Sequence, residues 1–171
     1  MLKKLIDIIR NFYKTLTFKE TFTVIFPSIL MGLSFFIFKK YIPNNYIPEY
    51  VYSINDSTLN IMSLLVAFGL GVVTLLYSSS TPSIQRAKEY YPTGVIGINN
   101  IPINYYQLII IRIFYSLISQ IFLVLFSFFI KIFLFNTSSL WFILLEIVLL
   151  THTILVELKV IISMYHLMWR D

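Results

Sequence analysis

Cysteine is absent from the 171-residue chain. That removes disulfide frameworks, thiolate nucleophiles and cysteine-based metal sites from consideration. Charge is scarce as well. Asp, Glu, Lys and Arg together make up 12% of the residues, about half of what a globular protein usually carries. The 2 histidines are too few to build an ordinary zinc site without cysteine. No H-E-x-x-H pattern, Gly-rich phosphate loop or G-x-S-x-G elbow occurs. The expectation is therefore a protein that is not an enzyme and that carries no cofactor and no metal. Internal repeats and low-complexity tails are also missing.

What fills the chain is apolar surface. Hydrophobic residues reach 58% and aromatics 18%, and mean hydropathy is +0.81. Four long apolar runs lie at about 21–38, 59–77, 108–130 and 140–169. Each is long enough to cross a hydrocarbon core of roughly 30 Å, which takes about 20 residues in a helix. A soluble chain of this size has no core that could hide four such helices. The expected fold is an all-α membrane protein: a four-transmembrane-helix bundle at 21–171, preceded by an N-terminal amphipathic interfacial helix at 1–20.

That first helix is read from its pattern. Leu2, Leu5, Ile6, Ile9, Phe12, Tyr13 and Leu16 recur at helical spacing. Lys3, Lys4, Asp7, Arg10 and Lys14 fall mainly on the other side. Such a helix lies in the interface and is drawn to anionic lipid. The interrupting charges exclude a cleaved signal peptide.

Lys and Arg concentrate before the first span and in the loop at 78–106, where Arg86 and Lys88 lie. This asymmetry predicts a multi-pass protein of a bacterial inner membrane with both termini cytoplasmic. Tyr41, Tyr46, Tyr50 and Tyr52 then mark the outer interface, and Tyr77, Tyr90, Tyr91, Tyr105 and Tyr106 the inner one. Trp141 and Trp169 mark opposite ends of the last span. Pro43, Asn44, Asn45 and Pro48 predict an irregular outer loop over 39–57. In the inner loop, Thr81 and Pro82 predict the start of a short helix, and Pro92, Thr93 and Gly94 its end.

Small residues mark packing faces. Ser63, Ala67 and Gly71 repeat every four residues on the second span, with Thr74 and Ser78 continuing that face; Ser28 and Gly32 do so on the first. This spacing lets helix backbones approach closely in lipid. It serves either packing within one bundle or, functionally, a contact between subunits of a homo-oligomer or a pore lining.

The last two spans carry the intramembrane polar groups. Arg112, Ser116, Ser119, Leu123 and Ser127 are expected on one face of the third span, and Glu146, Thr153 and Glu157 on one face of the fourth. A turn near Asn136, with Thr137 and Ser138 capping the fourth span, brings Arg112 and Glu157 within about one helical turn, or ~5.4 Å of axial offset. They are the expected ion pair. Gln120 and His152 come out level, and Glu146 falls opposite Phe126 and Ser127 with no basic partner in the hairpin. An unmatched acid in a membrane is costly, so Glu146 is expected at a hydrated path or a subunit seam, or else as a protonated, hydrogen-bonded acid. His152 is either a relay or a packed, hydrogen-bonded histidine.

The four-span layout, the basic amphipathic start at 1–14, the Leu-Leu-Val-Ala-Phe-Gly-Leu-Gly tract at 64–71 and the Ser-Ser-Ser-Thr-Pro stretch at 78–82 together resemble small membrane effectors of bacterial antiphage defence systems. The resemblance is architectural. It implies a homo-oligomer that opens a pore or depolarises the cell under a nucleotide-like signal. It also implies that Lys3, Lys4, Arg10, Arg86 and Lys88 meet an anionic ligand, lipid headgroups or a cytoplasmic partner protein. The alternative is a structural or adaptor membrane subunit with no conductance of its own.

Overall fold

The computed structural model describes residues 2–41, 47–133 and 140–169. Six α-helices account for nearly all of them: α1 Leu2–Thr15, α2 Phe18–Phe38, α3 Ile47–Ser78, α4 Pro82–Glu89, α5 Tyr105–Phe133 and α6 Leu140–Trp169. Four of these, α2, α3, α5 and α6, are long and apolar enough to cross a membrane. The expected turn near Asn136 and its caps Thr137 and Ser138 lie outside the described residues, as do Pro43, Asn44, Asn45 and Tyr46.

α5 runs Tyr105–Phe133, three residues beyond the expected 108–130 at each end, and two further boundaries differ for local reasons. α2 starts at Phe18 rather than 21 because Thr17 and Glu20 form a capping box. The Thr17 backbone N–H donates to Glu20 Oε2 at 2.8 Å, and the Glu20 N–H donates to Thr17 Oγ1 at 3.3 Å. Each satisfies a backbone donor that the helix itself cannot. α3 starts at Ile47, so 47–57 is helical and not loop. Pro48 falls in the first turn, where a proline N–H would have had no helical partner anyway.

The inner connection is partly ordered by caps and turns. α4 begins with Pro82 behind Thr81 and ends at Glu89, and its Ile84 and Ala87 are buried. Gly94 sits at φ 79°, a turn that needs glycine. Asn104 and Gln107 cap α5 reciprocally, at 2.8 and 3.1 Å.

The helices form a row. α5 and α6 pack as a central hairpin, α3 lies against α5, and α2 lies against α6. Half of the most apolar window of α5 is buried, against 17% for α2, 22% for α3 and 28% for α6, which makes α5 the central element. Close approach depends on two glycines. A Cβ on Gly32 would stand 2.6 Å from Val148 on α6, and one on Gly69 would stand 2.7 Å from Leu117 on α5.

The start of α2, the end of α3, the start of α5 and the end of α6 meet at one end of the bundle, with α4 and the last turns of α1. We call this the termini end. The other is the turn end, where Phe36 stands 6.0 Å from Trp141. α1 docks on α5 through Phe12, which is fully buried and stacks on Tyr115 at 3.8 Å. Its Lys3, Lys4 and Arg10 stay exposed.

Candidate functional site

Three polar clusters run along the seam between α5 and α6; the first is completed by α2 and the third by α3. At the termini end, Glu20 uses one oxygen for its cap and the other for two cations. Oε1 accepts from Lys159 Nζ at 2.6 Å and from Arg112 Nη2 at 3.2 Å. Arg112 Nη1 donates to Ser163 Oγ at 2.6 Å, and Ser163 Oγ donates to the Lys159 carbonyl at 2.8 Å. Arg112 Nε has no partner among the described residues.

This replaces the expected pair of Arg112 with Glu157. The hairpin count placed them at similar depth, but Glu20 arrives from α2 and takes the guanidinium. Glu157 is held by neutral donors instead. Its Oε2 accepts from Ser116 Oγ and, at 2.9 Å, from Gln120 Nε2. Gln120 Oε1 has no partner among the described residues. Gly69 leaves space beside it, since a Cβ there would be 3.7 Å away.

The third cluster lies toward the turn end. Glu146 Oε1 accepts from Ser127 Oγ at 2.7 Å and from Asn55 Nδ2 at 3.1 Å. Asn55 also donates to the Ser127 carbonyl at 3.0 Å. Glu146 is fully buried, so it lies inside one chain and not at a subunit seam. Its Oε2 has no partner among the described residues. Nearby, Lys131 pairs with Asp56 at 2.6 Å and lies over the Tyr52 ring at 5.2 Å.

Between the second and third clusters stands Leu123, also fully buried. It is one turn beyond Gln120 and one turn before Ser127 on the same face of α5. The seam is therefore polar, then apolar, then polar.

The remaining candidates separate from this seam. Ser119, His152 and Thr153 line an apolar cavity of about 650 Å³ beneath α1 and α2. There Tyr115 links His152 Nε2, at 3.0 Å, to the Tyr13 hydroxyl, at 2.8 Å. Thr153 donates back to the Leu149 carbonyl at 2.8 Å. Gln120 and His152 thus turn to different neighbours. Ser28 and Gly32 are buried in the α2–α6 contact. Ser63, Ala67 and Gly71 are exposed on the outer face of α3, and a Cβ on Gly71 would meet nothing within 4 Å. Arg86 and Lys88 are exposed on α4, and Lys88 lies 5.0 Å from the centre of the Tyr106 ring.

Glu20, Asn55, Asp56 and Ser163 completed these clusters without standing out in the sequence. The Thr-x-x-Glu spacing at 17 and 20 was the available signal for Glu20. Asn55 was hidden by the prolines that made its segment read as loop. Among the described residues, no group of His, Asp and Glu is arranged to hold a metal. The chain matches no protein-family model, no curated protein and no solved structure.

Proposed function

We propose that this chain is a homo-oligomeric bacterial membrane effector that passes cations along the α5–α6 seam and so permeabilises or depolarises the membrane. The carrying observation is the stack of buried oxygens on that seam, two of which, Gln120 Oε1 and Glu146 Oε2, have no donor among the described residues. Oxygen ligands are what a hard cation needs when it leaves water. Leu123 is the gate of this reading. An apolar constriction between polar stations stays dry and closed until it widens. The exposed small residues of α3 support a subunit contact. The exposed Arg86 and Lys88 of α4 at the termini end, with Lys3, Lys4 and Arg10 exposed on α1, support an inner-membrane protein with that end cytoplasmic, controlled in antiphage defence by an anionic nucleotide-like ligand or by a partner protein.

The test is cation flux into liposomes containing the purified protein. Leu123→Ser should raise flux several-fold over the wild type by wetting the constriction, and adding Glu146→Gln should lower it again. Absence of flux in both the wild type and Leu123→Ser, with folded and inserted protein, would reject conduction. It would leave the structural or adaptor reading, which is favoured by Arg112, Lys159, Glu146 and Glu157 all having partners inside the chain.

A further inference from the structure

The termini end holds a cleft that the conduction path does not use. A cavity of about 510 Å³ opens there, lined by Tyr90, Tyr105, Arg112, Tyr165, His166 and Trp169 among others. A second cavity, of about 180 Å³, shares Tyr90, Tyr105 and His166 with it and adds Ser83 and Arg86. Together they make one cleft between α4, α5 and α6. Among the described residues, no acidic side chain lines either part.

The charge of the cleft is one-sided. Arg112 and Lys159 share a single carboxylate, Glu20, and of these three only Arg112 lines the cleft. Arg112 is 9% exposed, and its Nε is unpartnered among the described residues. A guanidinium that lines the cleft and is fixed in place by Ser163 and Glu20 suits an oxyanion more than it suits water. Arg86, exposed on α4, adds a second cation at the rim. The remaining walls are aromatic, which fits an apolar or planar group carried by the anion.

We propose that this cleft binds a phosphate ester, with the phosphate on Arg112 at the floor, Arg86 at the rim drawing the anion in, and the organic part among the tyrosines and Trp169. The chemistry has two possible sources: the headgroup of an anionic phospholipid, or a soluble nucleotide-like molecule. The proposal deepens the ligand-controlled part of the function above and rests on that reading for its physiological meaning. Binding is read without ion flux, so failure of conduction and failure of this site are separate results.

The chain has 2 tryptophans, one at each end of α6. Trp141→Phe leaves Trp169, a wall of the cleft, as sole reporter. The full chain with this change is placed in nanodiscs of neutral phosphatidylcholine. One arm titrates adenosine monophosphate, the other raises the fraction of phosphatidylglycerol, and Trp169 emission is followed in both. A saturable change is expected in at least one arm, and which arm responds identifies the source. Arg112→Lys keeps the charge but loses the fork, and should weaken the response about tenfold. Arg86→Gln, on an exposed side chain, should weaken it about threefold with the fold intact by circular dichroism. No saturable change in either arm, or equal responses in the wild type and both variants, would overturn the proposal.

Discussion

The two ends of the helix row bury acids by opposite means. At the termini end, Glu20 keeps 32% of its side chain exposed and meets two cations, Arg112 and Lys159. Toward the turn end, Glu146 is fully buried and, among the described residues, is hydrogen-bonded by Asn55 and Ser127. The first arrangement works because long cationic side chains reach from a helix flank to the aqueous edge. The second works because short neutral donors on neighbouring helices can hydrogen-bond an acid without bringing a second charge into the bilayer. The termini end is therefore held by charge balance and the turn end by hydrogen-bond satisfaction.

This contrast is broken or sharpened by single substitutions. Glu20→Gln should have the largest effect. It strips the shared anion and leaves Arg112 and Lys159 facing each other, at a loss of about 3 kcal/mol, the low end for a broken ion pair because the site is partly open to water. Reversible unfolding in detergent micelles reads the loss, and a value below about 1 kcal/mol would show that charge balance does not hold this end. Asn55→Ala comes next, at about 2 kcal/mol, because Glu146 loses one of its two donors. Combining it with Glu146→Leu should recover most of that loss, since the acid left without its donor is removed as well. A double variant no better than Asn55→Ala would separate Asn55 from Glu146. The smallest effect belongs to Glu146→Gln alone, at less than about 1 kcal/mol, because the amide oxygen still accepts from Asn55 and Ser127. If it costs as much as Glu20→Gln, the two ends are not different in kind.

The spans were legible because length and apolarity alone decide whether a helix can cross lipid. The pairing depth of the last hairpin was also legible: counting rise per residue from a turn placed Glu146 opposite Ser127, where the two are hydrogen-bonded. Counting along one hairpin cannot show what a third helix contributes. That is why Arg112 was matched with Glu157 and not with Glu20. Nor does spacing say which side of a helix meets a neighbour. Gly71 belongs to the visible small-residue repeat but faces outward, while Gly69, outside that repeat, is the residue over which Leu117 packs. Both have the same freedom from a side chain. The difference lies in the rotation of α3 about its axis, which is set by packing along the whole helix.

The order of helices in the row has a consequence for biogenesis. α2 and α3 are made before α5 and α6, yet each rests against one of these later helices. During synthesis they enter the bilayer with Glu20 and Asn55 still without Arg112, Lys159, Ser127 and Glu146. Insertion of α5 and α6 then supplies those partners from between them. The final hairpin acts as a keystone: until it arrives the earlier spans are inserted but unassembled, and a nascent chain arrested before it would present two separate helices to the membrane's quality control.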